Sequence, residues 1–398
     1  MAAEVQGTCD PKFSTVRTLL QDALTSGSEL GLSFTLNIHG KTLIDLHGGQ
    51  TSPNKSKSQP WTSHTLSPVF SSTKNIVSLS LLHLASSGKI SLDDKVSKHW
   101  PEFASHGKEN VKIKSLISHT SGVPGWVDDM TLEDICDTPT ATAKLANQKP
   151  SWDLDNGAKS GYHCWSHGHL AGEIIRRVTG LSLKEYIAQE IAAKRGNADF
   201  QIGCKEEDWD RIAELVPPPV FTSTEWKVPE KGSVGFMIMN PLASAEMANS
   251  ETWRRGEVGA VNGFTNARGL VDVLSAVTLA SSPDEDPLPS LLSPEIRDRI
   301  FEEQFKGVDL LLNIPVRFGI GFALRGADVQ WDASVERVVP EGRVAYWGGW
   351  GGSMVVMDVE RGVTCAFVGN KMTNEGVGWV PFVREVYRIL GEGDGDVK

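Results

Sequence analysis

Apolar residues recur at helical spacing over residues 11–25, where Phe13, Val16, Leu19, Leu20 and Leu24 share one face and predict an amphipathic first helix. Two segments rich in β-formers, 32–38 and 42–46, flank His39-Gly40-Lys41 and read as a hairpin. Beyond a polar stretch at 55–63 the pattern changes character. From Ser71 onward Ile76, Val77, Leu79, Leu81, Leu82, Leu84 and Ala85 leave almost no polar face, which predicts a buried helix ended by Gly88. An extended surface passage follows at 89–103. Helices are predicted at 111–118, 131–147, 168–179, 183–193 and 266–280, with Gly122 and Pro124 breaking the chain after the first. Between 202 and 260 the periodicity weakens around Pro217-Pro218-Pro219, as expected of long surface loops that wall or cover a site. Strand patterns return at 344–347, 354–359 and 364–368, and a closing helix is predicted at about 379–390.

Strands therefore gather at both chain ends with helices between them. The expected fold is of the α/β (α+β) class, one antiparallel sheet built from both termini, flanked by helices and carrying a mainly helical insertion. A single domain over 1–398 is expected, with 1–75 and 300–390 as its α/β part, 76–299 as the helical part with loops, and 391–398 as a flexible polar tail.

Composition narrows the function classes. The 398 residues are 40% hydrophobic and 22% charged, ordinary for a globular chain with a large core. A net charge of −11 with no dense Lys/Arg cluster argues against nucleic acid as a partner. No run reads as a signal peptide or a bilayer span, so no membrane partner and a cytoplasmic location are expected. Five scattered cysteines, Cys9, Cys136, Cys164, Cys204 and Cys365, read as reduced thiols. His167 and His169 form an H-x-H without a further ligand at zinc spacing, so no metal and no cofactor are expected.

Four S-x-x-K matches occur: Ser52/Lys55, Ser71/Lys74, Ser86/Lys89 and Ser105/Lys108. Only Ser71 opens a long apolar helix. There Ser71 and Lys74 are i,i+3 neighbours, so a hydroxyl meets an amine that burial would strip of its proton, a route to an activated nucleophile. The backbone N–H of Ser71, at a helix start, could also face an oxyanion. A third proton carrier is needed. Of four tyrosines, Tyr186 and Tyr387 read as packing, Tyr346 precedes a glycine-rich strand end, and Tyr162 lies on a turn into a helix, Gly161-Tyr162-His163-Cys164-Trp165-Ser166-His167-Gly168. The glycines of Tyr346-Trp347-Gly348-Gly349-Trp350-Gly351-Gly352-Ser353 mark either a substrate-lining edge or a bulge. No G-x-S-x-G is present, which leaves an α/β-hydrolase elbow unsupported. Cys164 beside His163 reads as a packed thiol rather than a nucleophile.

In this order the stretches resemble the serine β-lactamase and penicillin-recognising family, in its class C β-lactamase and family VIII carboxylesterase branch. Ser71-Ser72-Thr73-Lys74 is similar to the first motif of that family, Leu116-Ile117-Ser118-His119-Thr120-Ser121-Gly122-Val123-Pro124 to a loop of the branch, and Tyr162-His163-Cys164 to its Tyr-x-Asn. Trp347-Gly348-Gly349 stands where β-lactamases carry Lys-Thr-Gly and many related esterases carry Trp-Gly-Gly. The resemblance implies Ser71 as nucleophile, Lys74 and Tyr162 sharing the acid and base work, the N–H groups of Ser71 and Trp350 as oxyanion hole, and His119 as a loop-fixing residue. Cys164 replaces the usual Asn and Trp347 the usual Lys, which removes the cation that would attract a β-lactam carboxylate. With Trp126, Trp165, Trp347 and Trp350 in or beside the motifs, an apolar substrate pocket is expected, lined by Trp347, Gly348, Gly349, Trp165, Cys164 and Trp126. The expected activity is a serine carboxylesterase acting on an uncharged small-molecule ester or lactone, such as a secondary metabolite, through an acyl-Ser71 intermediate. A transesterase of the lovastatin-acyltransferase type, a β-lactamase and a non-enzymatic binding module are the alternatives, and oligomeric state stays open.

Overall fold

The computed structural model describes residues 4–218, 229–279, 286, 288–329, 331–373 and 377–391. Among the described residues are twelve strands, β1 (Gln6–Cys9), β2 (Gly31–Ile38), β3 (Lys41–Gly49), β4 (Ser67–Pro68), β5 (Phe200–Ile202), β6 (Gly263–Thr265), β7 (Phe305–Val308), β8 (Pro315–Phe318), β9 (Ala323–Leu324), β10 (Val344–Gly348), β11 (Met354–Asp358) and β12 (Val363–Gly369). Nine of them form one antiparallel sheet in the order β1-β3-β2-β12-β11-β10-β9-β8-β7, so first and last thirds of the chain meet where Phe34 of β2 pairs with Phe367 of β12. That is the predicted sheet, with longer strands and with four more, β1 and β7 to β9, that the hydrophobic pattern did not mark.

Two layers of helix cover this sheet. On one face the helices Ser14–Ser26 and Val380–Ile389 pack together over Leu32, Phe34, Leu36 and Phe367, with Phe382 against both phenylalanine rings. On the other face the helix Ala267–Leu279 lies against β2 and β12. Two buried polar residues of those strands are bonded to it: Ser33 Oγ accepts from Ala267 N at 3.0 Å, and the Thr278 and Thr364 hydroxyls lie 2.9 Å apart. This double coverage explains why the strands lack a polar face to water.

Behind that helix runs Thr73–Ser86, buried along nearly its whole length as the sequence implied. Ile76, Val77, Leu79, Leu81, Leu82 and Leu84 have no exposed surface. Each contributes on the order of 2 kcal/mol by leaving water, an upper estimate against an extended chain. The helix is preceded by a tight turn, Phe70–Ser72, in which Phe70 takes φ 41°.

Several predicted helices are divided. The 131–147 helix breaks into Leu132–Cys136 and Thr138–Asn147, because Pro139 lacks the N–H needed to continue a ladder and suits the first turn of a new helix instead. The 183–193 helix begins at Leu183–Tyr186 and widens into a π turn over Ile187–Ala192. The surface passage contains a short helix, Val96–His99. Parts of the 202–260 loop region form short helices, Val234–Ile238 and Glu251–Arg255, while Pro219 and the tail from 392 lie outside the described residues.

Candidate active site

Two clamps hold the turn that carries Ser71. The strands β4, β6 and β5 form a small sheet whose first member ends at Pro68. Val69 N then donates to Gly263 O at 3.0 Å, and Gly263 N donates to Thr73 Oγ1 at 2.9 Å, so β6 grips the chain on either side of Ser71. Between those anchors Phe70 sits in the left-handed region, which a residue with a side chain adopts only when its surroundings enforce it.

Lys74 lies one helical turn on and is almost fully buried. Its Nζ reaches Ser71 Oγ at 3.1 Å, Cys164 O at 2.9 Å and Ala260 O at 2.9 Å. Burial pulls its pKa down from the ordinary lysine range to about 7, with the nearby Cys164 thiol opposing in part. The role that a Tyr-x-Asn amide would play toward the lysine is met here by the backbone: Cys164 supplies its carbonyl, while its own thiol is pushed up by burial.

Tyr162 is brought beside this pair from far along the chain. Its phenol accepts from Trp347 Nε1 at 3.0 Å, Lys74 Nζ stands 4.7 Å from its ring centroid, and the Ser71 hydroxyl is near enough to favour the ionised phenol in part. Burial raises the phenol above its ordinary range, so at rest it is a proton donor and not a phenolate. Its loop is fixed on two sides. Asp309, fully buried, accepts from Ser160 Oγ at 2.5 Å, Tyr162 N at 3.3 Å, Leu311 N at 2.9 Å and Leu312 N at 3.0 Å. His119, at φ 62°, accepts His163 N–H on Nδ1 at 3.0 Å and Gly161 N–H on its carbonyl at 3.2 Å, with its ring 4.7 Å from that of Tyr162. Burial holds His119, His163 and His167 below the usual imidazole range, so these neighbours of Lys74 stay uncharged near neutrality.

The glycine-rich end of β10 closes the third side. An added Cβ on Gly349 would lie 2.0 Å from Val69 O, so only glycine lets the strand come this close to the Ser71 turn. Ser353 Oγ donates to Val69 O at 2.9 Å and lies 3.0 Å from Ser72 Oγ, while the Trp350 ring meets Phe70 edge-on at 5.3 Å.

Of the residues singled out from sequence, Ser71, Lys74, Tyr162, Cys164, Trp347, Gly348, Gly349 and Trp350 are gathered around one point. Trp165 is buried at the far end of an aromatic chain that runs through Trp253 and Phe70 to Trp350, with ring separations of 6.1, 5.8 and 5.3 Å. Trp126 is not brought to the site. It is fully buried, its indole N–H donates to Ala141 O at 2.9 Å, and its ring packs on His169. Asp309, Phe70, Trp253 and the Ala260 carbonyl carried no signal in the sequence, since none is a catalytic residue type of a motif and three act through backbone or packing. His167 and His169 do not join a ligand set: His169 bonds the carbonyls of Trp165 and Ile135, and no cluster suited to a metal occurs among the described residues.

Comparison with known proteins gives the family and the fold. The Beta-lactamase family model matches residues 16–386. The chain belongs to the Beta-lactamase family. It is 26% identical over 378 residues to the "Esterase/beta-lactamase LipL" of Mycobacterium tuberculosis (strain ATCC 25618 / H37Rv), covering 92% of this chain and 83% of that protein. Among solved structures it is similar to a family VIII carboxylesterase, with TM-score 0.86, 30% identity and coverage of 97% of this chain and 100% of the other. A penicillin-binding protein homologue from Caulobacter crescentus superposes with TM-score 0.83 at 29% identity, over 97% and 99% of the two chains. The family is one of esterase/β-lactamase-like serine hydrolases, and its fold is the mixed antiparallel architecture described above. No helix among the described residues is long and apolar enough to cross a membrane.

Proposed function

We propose that this chain is a serine carboxylesterase that cleaves uncharged small-molecule esters or lactones through an acyl-Ser71 intermediate. The observation that carries the reading is a buried amine 3.1 Å from Ser71 Oγ that also stands 4.7 Å from the ring of the buried phenol Tyr162. A neutral lysine has two N–H groups and one lone pair. Cys164 O and Ala260 O can only accept, so they take both hydrogens and the lone pair faces Ser71 Oγ, where it can act as base.

In acylation Lys74 takes the Ser71 proton as Oγ attacks the carbonyl carbon. Tyr162 then gives its proton to the leaving alcohol oxygen, and the Trp347 indole N–H steadies the phenolate that results. In deacylation water replaces the alcohol: it returns a proton to Tyr162 as it attacks, and Lys74 returns its proton to Ser71. The N–H groups of Ser71 and Trp350 are assigned to the developing oxyanion, supported by the approach of the 349–352 turn to Val69 and Phe70. Trp347 occupies the place of a carboxylate-binding lysine and its indole is committed to Tyr162, which favours uncharged esters over β-lactams. Trp347 and Phe318 supply aromatic surface beside Tyr162, and Trp350 beside Phe70 at the Ser71 turn, for an apolar acyl group.

Rates with p-nitrophenyl butyrate, nitrocefin and a thioester plus alcohol separate the alternatives. Faster turnover of the butyrate ester is expected. Preferential turnover of nitrocefin would assign a β-lactamase, acyl transfer to the alcohol in preference to water a transesterase, and no acylation by any of the three a binding module.

A further inference from the structure

Six large apolar side chains are exposed among the described residues, and five of them lie on three segments packed about the Tyr162 loop. Val308, Leu310 and Ile314 are 57, 49 and 46% exposed, and Val127 and Leu242 are 43 and 51% exposed. Leu310 N donates to Ser160 O at 2.9 Å, two residues from Tyr162. On the opposite side Gly161 lies under Trp152 and Ile238, Gly125 lies against the Met237 carbonyl, and Asn240 ties Trp126 O and Met130 N together. Val127 and Leu242 project from these joined loops. The sixth residue, Trp331, lies elsewhere, near the Val380–Ile389 helix, where Asp332 O accepts from Arg384.

The exposed residues continue inward. Leu311 and Leu312 pack in one cluster with Tyr162, Val316, Phe318 and Trp347, so the segment that bears the exposed side chains is joined by apolar packing to the phenol. Monomeric soluble proteins seldom gather so much exposed apolar surface at one place without a use for it. We infer that this rim docks the enzyme on the surface of aggregated uncharged esters, and that the natural substrates are water-insoluble acyl esters presented in that form. The inference rests on the esterase reading above. Charge favours an uncharged surface over an anionic one. Lys144, Lys231 and Lys306 along the rim are each paired with a carboxylate, Asp128, Asp129 and Asp328, and the chain carries a net −11.

The test uses tributyrin below and above its solubility limit, with soluble p-nitrophenyl acetate as reference. The wild-type rate should rise sharply once the emulsion forms, and the Ser71→Ala chain should be depleted from the aqueous phase when the emulsion is spun off. Leu310→Ser/Ile314→Ser should retain the rate on p-nitrophenyl acetate, lose the rise, and bind the emulsion roughly tenfold less tightly, the order expected when two half-exposed side chains lose their apolar transfer. Trp331→Ser, a remote exposed residue, should change neither. A rate that follows ordinary saturation through the solubility limit overturns the inference, as does an equal loss in Trp331→Ser. Light scattering covers the competing occupant: a dimer that the double variant converts to monomer, with emulsion activity unchanged, assigns the rim to a second copy. If wild type fails to acylate even with soluble ester, it is the esterase reading that fails.

Discussion

Lys74 is predicted to make stability depend on pH in a way that its neutral isostere cannot. In the folded chain its pKa is about 7 against about 10.5 for an ordinary lysine, so unfolding takes up a proton across that interval. The sign follows from linkage: the unfolded state binds more protons, so stability rises with pH between about 7 and about 10.5 and is flat for this group below that window. Integrating the proton difference from about pH 7 to about pH 9 gives a gain of about 2 kcal/mol for wild type over Lys74→Met. Full neutralisation of the amine costs about 5 kcal/mol, which the six fully buried aliphatic side chains of the same helix outweigh at on the order of 2 kcal/mol each. Urea unfolding of both chains at the two pH values measures the effect, and taking the difference cancels every other titrating group. Parallel stability profiles would show that Lys74 keeps an ordinary pKa and would remove the basis for its role as base. The same group should give kcat/KM an acid limb with an apparent pKa near 7.

Three further outcomes follow from the geometry. Trp347→Phe removes the hydrogen bond to Tyr162 while keeping an aromatic ring, and should lower kcat by about tenfold, one hydrogen bond to a developing charge, with little change in KM in steady-state kinetics. Gly349→Ala places a Cβ against Val69 O, so thermal denaturation should show a loss of at least about 2 kcal/mol together with loss of activity, and wild-type behaviour would mean the strand end does not approach the Ser71 turn. Asp309→Ala orphans the Tyr162 and Leu312 N–H groups among others, and a loss of about 3 kcal/mol in urea unfolding is expected, with kcat falling further than KM changes.

How much of this was legible in the sequence depended on the kind of interaction involved. The Thr73–Ser86 helix was readable because burial on every side leaves an unbroken apolar run, and β2, β3 and β10 to β12 because their residues are β-formers between clear turns. β7 and β8 escaped because they are four residues long, partly wet and interrupted by Lys306, Gly307, Pro315 and Arg317, and β9 because two buried residues make no pattern. Within the site, the residues that act through side-chain chemistry stood in motifs. Asp309 acts by accepting two hydrogen bonds from the distant Tyr162 loop and two from its own turn, and Ala260 by a carbonyl, and neither leaves a pattern in a single sequence.

The four S-x-x-K matches show the same limit. Lys108 is as buried as Lys74, donating to the carbonyls of Ser105, Ala146 and Gln148, with its pKa drawn down to about 8. Ser105 Oγ, however, donates to Ala146 O at 2.6 Å and serves to tie that turn to the end of a helix. A buried lysine beside a serine is therefore insufficient; the Ser71 pair differs in meeting Tyr162 and the β10 end, a convergence that only the fold creates.

The central claim is that Ser71 becomes acylated. Intact mass after brief exposure to p-nitrophenyl butyrate measures it most directly, with peptide mapping to place the label. A single butyryl adduct on Ser71 in wild type, absent in Ser71→Ala and strongly reduced in Lys74→Met, is the predicted result; an adduct that persists in Ser71→Ala, or that maps to Cys164, would contradict the account.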